Sequence, residues 1–175
     1  MPRWPLADVD LAAWKRCPKP VPSAVVGRAD GASTARSVRR AVGVVAYVQR
    51  VAEAGQGLPI VLYLRNDNIG QDAIERLCRI PEVAGVKWAS PTPLKLAEAI
   101  SRSDPKIAWV GGLAETWAPP LCAVGARGFT SGLVNVWPEH SMAIHGALEA
   151  GDYKRANQLI KVMNDLLGAA RSAAE

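Results

Sequence analysis

The sequence predicts an α/β domain built on parallel strands. Three observations carry that expectation. Short apolar runs of strand length alternate with stretches whose apolar residues recur at helical spacing. Gly and Pro punctuate the changeovers. Polar, glycine-rich and titratable residues gather just after each strand, where parallel sheets present their ligand-binding ends.

From Gly43 onward the elements follow in order. Val44, Val45, Val48, Val51 and Ala52 recur at helical spacing, and Gly55 and Gly57 stop that helix before Pro59 opens a strand. The strand Ile60 to Leu64 ends in polar Arg65-Asn66-Asp67-Asn68. A helix with Ile74, Leu77 and Cys78 inward then runs to about Pro81. The next strand is Val83 to Trp88. Ser90 and Thr92 are suited to cap a helix carrying Leu94, Ala97 and Ile100, which fades at Ser103-Asp104-Pro105. Ile107 to Val110 reads as a third strand running into Gly111-Gly112, a short helix covers Glu115 to Val124, and a fourth strand covers Gly128 to Val134. Two helices close the chain. One follows Pro138 and ends at Gly151; Asp152 starts the other, which carries Ala156, Leu159, Ile160, Met163 and Leu167.

Strict alternation of four strands with helices implies right-handed crossovers and parallel pairing. A (β/α) barrel and a doubly wound open sheet both meet that description, and both bind ligands at the carboxyl ends of their strands. A closed barrel needs eight strands and roughly 250 residues. This chain has 175 residues, enough for one domain.

The net charge of +5 is unevenly placed. Residues 1–42 hold eight Lys and Arg against three Asp, whereas residues 43–175 hold thirteen of each sign. The first segment, with Pro2, Pro5, Pro18, Pro20 and Pro22, reads as a basic, poorly ordered arm ahead of the 43–175 domain. It lacks interleaved aromatics and any base-reading module, so no nucleic-acid partner is expected. Every apolar run is too short to span a membrane, and Met1-Pro-Arg-Trp-Pro5 leads into Asp8 and Asp10 rather than an apolar leader, so the expected location is cytoplasmic. Cys17, Cys78 and Cys122 are odd in number and widely spaced, which favours free thiols. His140 and His145 lie five apart, off the four-residue spacing of a helical metal pair, and are expected to be solvated or capping; no metal is implied.

The chemistry-bearing pair is Tyr63 and Lys87, each ending an apolar strand, one strand–helix unit apart. On adjacent parallel strands they face one another. A lysine that loses water is favoured as the neutral amine, a nucleophile toward ketones, and a neighbouring phenol can move protons. Read alone, a lysine in the place of Lys87 usually snorkels to solvent, and Tyr63 equally suits a packed strand aromatic. Glu115 more often charges a helix start than binds substrate.

Leu58-Pro-Ile-Val-Leu-Tyr63, Val83-Ala-Gly-Val-Lys87, Val110-Gly-Gly112, Gly125-Ala-Arg-Gly-Phe-Thr-Ser131, Asn135 with Pro138, and Gly151-Asp152 with Ala156 resemble, in order and spacing, the landmarks of the dihydrodipicolinate synthase and N-acetylneuraminate lyase family. The resemblance covers residues 43–175 and implies the second half of a (β/α)8 barrel, about four parallel strands plus C-terminal helices. It implies a lyase or aldolase in which Lys87 forms a Schiff base with pyruvate or another 2-keto acid and Tyr63 relays protons. It further implies no cofactor beyond the lysine itself, and a homo-oligomer. Gly112, Thr130 and Ser131 are candidate substrate contacts that suit equally a tight strand-end turn and local backbone hydrogen bonds, and Arg65 is the candidate substitute for the family's carboxylate clamp. Leu64 and Asn66 depart from the family's Asn-x-Pro after the tyrosine, Asn68 stands where an arginine is usual, and Tyr63-Leu-Arg-Asn-Asp67 leans toward the sugar-acid dehydratase branch. Nothing in residues 1–42 resembles the family's first half or its Gly-Thr-Thr type loop. Back-translating Ala29 to Val42 with permitted codons and reading one nucleotide later can yield a strand-and-loop sequence like the family's, so residues 1–42 are read as translated from a shifted frame or a miscalled start, a reading that the underlying nucleotides test. The alternative to an enzyme is an inactive fragment or interaction protein that keeps half the barrel.

Overall fold

A computed structural model describes residues 25–26, 34–65 and 67–172, with side chains from residue 42 to 168 apart from Asn66. The elements run β1 (Val25–Val26), α1 (Thr34–Gly55), β2 (Ile60–Leu64), α2 (Gln71–Cys78), β3 (Val83–Trp88), α3 (Pro93–Ser101), β4 (Ala108–Gly111), a 3-10 turn (Glu115–Trp117), α4 (Ala118–Ala123), α5 (Pro138–Glu149) and α6 (Tyr153–Ser172). A second 3-10 turn, Leu133–Asn135, precedes α5. The four strands lie side by side in chain order, every pair parallel.

The strands expected at 60–64 and 83–88 form with those bounds, and the third lies one residue later than read. Two assignments change. The strand expected over Gly128 to Val134 contracts to a single bridge between Phe129 and Gly111. Its cause is local: the Ser131 hydroxyl accepts the Leu133 N–H at 2.9 Å and turns the backbone into the 3-10 turn. The sheet's fourth strand is instead Val25–Val26, paired with Tyr63 and Leu64. Two residues are too few to show a period. The first helix likewise begins at Thr34 rather than Gly43, inside the segment read as an unordered arm. Thr34 to Val42 is free of Pro and Gly and rich in Ala and Arg, so helix propensity extends a helix whose apolar periodicity starts later. The rest of the arm, 1–24 and 27–33, lies outside the described residues.

One sheet face is sealed. Leu62, Leu64, Val86, Trp88 and Trp109 are at most 3 % exposed and pack against Val48 and Ala52 of α1, Ile74 and Leu77 of α2, Leu96 and Ala99 of α3 and Leu121 of α4. Alternation along a strand sends successive side chains to opposite faces, so the core residues leave the other face to Val61, Tyr63, Lys87, Ala108 and Val110. None of these five joins a buried core, and Val61 is 40 % exposed. A second core joins α4, α5 and α6 through Ala118, Ile144, Leu148, Ala156, Ile160 and Met163.

Helix faces follow the sequence with local exceptions. Ile74, Leu77 and Cys78 are buried as expected. On α3 the inward residues are Leu96 and Ala99, while Leu94 is 83 % exposed. Thr92 occupies the N-cap of α3, but its hydroxyl does not cap the helix. Asp152 does cap, accepting the Arg155 N–H at 2.9 Å. Among the described residues no helix is long and apolar enough to cross a membrane.

Candidate active site

Parallel register brings Tyr63, Lys87 and Val110 into one row across β2, β3 and β4. Lys87 Nζ sits 4.4 Å from the centroid of the Tyr63 ring, the amine over the aromatic face. Both side chains are half-buried. The row lies at the carboxyl ends of the strands, on the open face of the sheet.

Backbone spacing explains why glycines surround this lysine. A Cβ on Gly85, two residues before Lys87, would stand 2.7 Å from the Ala108 carbonyl oxygen, so β3 and β4 approach this closely only without a side chain there. A Cβ on Gly112 would meet Ala89 Cβ at 2.8 Å, Lys87 Cε at 3.0 Å and Lys87 Cγ at 3.1 Å. Gly112 therefore forms a wall of the channel that holds the lysine stem. Its N–H donates to the Trp88 carbonyl at 2.7 Å, tying the loop after β4 to the end of β3.

The two loops flanking the pair are tied to each other. Asp67, in the loop after β2, pairs with Lys95 at 2.8 Å although its side chain is only 8 % exposed. The Thr92 hydroxyl donates to Asp67 at 3.2 Å and lies 3.0 Å from the hydroxyl of buried Ser90. Burial pushes the Asp67 carboxyl up, but hydrogen bonds and charge from Lys95, with help from the local backbone and Thr92, outweigh it and hold the group below its ordinary value.

A cavity of about 400 Å³ adjoins the row at Val110. Thr130 and Ser131 line it, together with Arg127, Phe129, Ser141, Met142 and His145. The Thr130 hydroxyl turns back to the Gly111 carbonyl at 3.3 Å, and Ser131 is engaged by Leu133 as described. The structure thus groups Tyr63, Lys87 and Gly112 directly, sets Thr130 and Ser131 in the adjoining cavity, and leaves Arg65 exposed at the head of the loop after β2.

Sequence reasoning missed Ser141, which is 3 % exposed and donates to Glu115 at 2.5 Å. Glu115 is itself 1 % exposed, so it is a buried carboxylate and not a surface charge at a helix start. The partners are 26 residues apart, and no local pattern joins them. His140 also departs from expectation: it is buried, stacked on Trp137 at 3.9 Å and hydrogen-bonded through Nε2 to the Leu159 carbonyl at 2.9 Å. Half-buried His145 lies 3.7 Å from Glu149. Among the described residues, no group of three or more His, Cys, Asp or Glu could hold a metal ion. Cys78 and Cys122 are free thiols, and burial pushes both up, Cys122 to about 11.

Residues 39–173 match the dihydrodipicolinate synthetase family. The chain belongs to that family. It is 35% identical over 115 residues to 4-hydroxy-tetrahydrodipicolinate synthase 1 of Streptomyces coelicolor, covering 63% of this chain and 36% of the relative. To a probable 5-dehydro-4-deoxyglucarate dehydratase of Ralstonia nicotianae it is 28% identical over 122 residues, 67% of this chain and 39% of that one. The crystal structure of dihydrodipicolinate synthase from Bacillus clausii superimposes with a TM-score of 0.65 at 32% identity, over 68% of this chain and 40% of the other. A sialic acid aldolase from Ruminococcus gnavus shares the fold, with a TM-score of 0.65 at 17% identity. The family resemblance and the fold read from the sequence both hold: this is the second half of a (β/α)8 barrel with its C-terminal helices. The chain spans about two fifths of the length of these relatives.

Proposed function

We propose that the chain carries the imine-forming machinery of a lyase acting on pyruvate or another 2-keto acid, with Lys87 as nucleophile and Tyr63 as proton carrier. The observation that supports this most is the Lys87 amine held over the Tyr63 ring while Gly112 walls in its stem. In the proposed reaction the amine adds to the keto carbon, and the carbinolamine loses its hydroxyl as water to leave an iminium. The iminium draws electrons from the adjacent carbon; loss of a proton there gives an enamine, whose carbon forms or, in reverse, breaks the bond to the second substrate. Both water loss and enamine formation need a proton moved near the nitrogen, and the Tyr63 phenol, whose ring centroid lies 4.4 Å from the amine, is the proposed carrier. Gly112, Thr130, Ser131 and Arg65 are proposed substrate contacts. Among these, Thr130 and Ser131 suit the distal part of the substrate, because their cavity opens beside Val110.

Borohydride trapping tests the reading. The protein is incubated with pyruvate and reduced, then analysed by intact mass and peptide mapping. A secondary-amine adduct at Lys87 supports it, and a folded protein without that adduct rejects it. A second reading, a catalytically silent fragment or interaction protein, is favoured by the open sheet face, on which Val61 is 40 % exposed. A negative trap selects it.

A further inference from the structure

We propose that Glu115 and Ser141 are positioning residues that hold the loop after β4 against the Lys87 side chain. The inference rests on the catalytic reading of Lys87 for its functional meaning, though its geometry stands apart from that reading. The loop is anchored at two points. At one, the Gly112 N–H donates to the Trp88 carbonyl at 2.7 Å, and the residue lies so near the lysine stem that a Cβ there would stand 3.0 Å from Lys87 Cε. At the other, buried Glu115 accepts the hydroxyl proton of Ser141, from α5, at 2.5 Å.

Between these anchors Ala114 adopts φ 60 and ψ −167. A side chain makes that backbone region costly, and nearly all residues found there are glycines. Strain of this kind persists only where the surroundings enforce it, and the bond at the next residue is the enforcing contact. A carboxylate removed from water is costly without a donor, so the Glu115–Ser141 bond resists release of the loop. Ser141 in turn belongs to a helix fixed by the separate core around Ile144 and Leu148. Neither residue is assigned a proton or a substrate contact. Their effect reaches Lys87 through Ala114 and Gly112.

The test uses the full chain labelled with 13C at the lysine ε-carbon, with the Lys87 signal assigned by its loss in Lys87→Arg. Seated over the Tyr63 face, the ε-methylene protons resonate upfield of the other lysines. Ser141→Ala is expected to return them toward the ordinary lysine position and, where the wild type is trapped by borohydride, to slow trapping roughly tenfold. Adding Ala114→Gly, which removes the strain and lets the loop keep its shape unaided, is expected to restore both. A loss of packing unrelated to the loop would not be rescued by that change. If Ser141→Ala does not fold, Glu115→Gln weakens the same bond from charge-assisted to neutral at constant volume and shifts the signal in the same direction by less. An unmoved Lys87 signal in the variants, or no rescue by Ala114→Gly, overturns the inference. Failure of the wild type to trap pyruvate, with the signals behaving as described, rejects the catalytic reading and leaves the positioning role intact.

Discussion

Lys87 and Tyr63 make separable contributions in the proposed chemistry, so substitutions should separate them. Lys87→Met removes the nucleophile and is expected to abolish reductive trapping. Tyr63→Phe keeps the ring under the amine but removes the proton carrier, and trapping is expected to slow by about 10²-fold with the adduct still on Lys87. Rate measurements by intact mass against time distinguish the two. Gly112→Ala reports on the channel wall: its methyl would fall 2.8 Å from Ala89 Cβ and 3.0–3.1 Å from the lysine stem, so the backbone near Ala89 or Gly112 must move and the stem must give with it. Trapping is expected to fall while the far-ultraviolet circular dichroism spectrum stays that of the parent. The pairing of Tyr63 with Lys87 was legible because both end apolar strands one unit apart and parallel strands align such positions. Glu115 and Ser141 were not, because their bond joins distant segments and only the tertiary fold shows that the carboxylate is buried.

At the scale of elements, the sheet and its first helix layer carry the stability. Leu62 is wholly buried between the strands and the helices, and Leu62→Ala is expected to cost about 2–5 kcal/mol, read as a lowered midpoint in urea. The two loops flanking the site depend on Asp67. Its carboxyl titrates lower in the folded chain than in the unfolded one, so the pairing contributes fully above the unfolded value and is lost as pH falls through the folded one. The destabilisation caused by Lys95→Met, from paired unfolding curves, is therefore expected to be full near neutrality and to fade below about pH 4. Across the far sides of α2 and α3, Arg102 bonds Glu75 at 2.9 Å and Glu98 at 3.3 Å and also reaches Asp72, which raises its affinity for the proton. These are exposed pairs, and each contributes little on its own.

Element boundaries were legible where burial imposes a period. Ile74, Leu77 and Cys78 marked the inner face of α2, and the apolar runs marked β2 and β3. They were illegible where hydrogen bonding or pairing overrides the pattern. Thr130 and Val134 suit a strand, yet the Ser131 side chain turns the chain away after one bridge. Val25 and Val26 pair with Tyr63 and Leu64 without any periodicity of their own. Leu94 looked like a core residue because it is apolar and three positions from Ala97, but the sheet meets α3 along Leu96 and Ala99.

On the scale of the whole molecule, a parallel sheet ordinarily has both faces covered, and among the described residues the helices cover one. The open face bears the candidate site. That face carries apolar Val61, Ala108 and Val110 beside a lysine and a tyrosine, and in the relatives the matching segment is about two fifths of the chain. The barrel assignment was legible because six linked landmarks recur in order along residues 58 to 156, a far more specific signal than any one strand ending in lysine. Residues 1–42 gave no such landmarks, and the nucleotides behind them decide the shifted-frame reading: without a barrel-coding frame offset by one and continuous with residue 43, it fails.

The central claim is that the amine of Lys87 condenses with a 2-keto acid. Peptide mapping after reduction of the protein with pyruvate and borohydride measures this most directly, since Lys95, Lys106, Lys154 and Lys161 in the same sample serve as exposed controls. The account predicts a reduced adduct concentrated on the peptide bearing Lys87 and lost in Lys87→Met. An unmodified Lys87, or modification spread evenly over the exposed lysines, would contradict it.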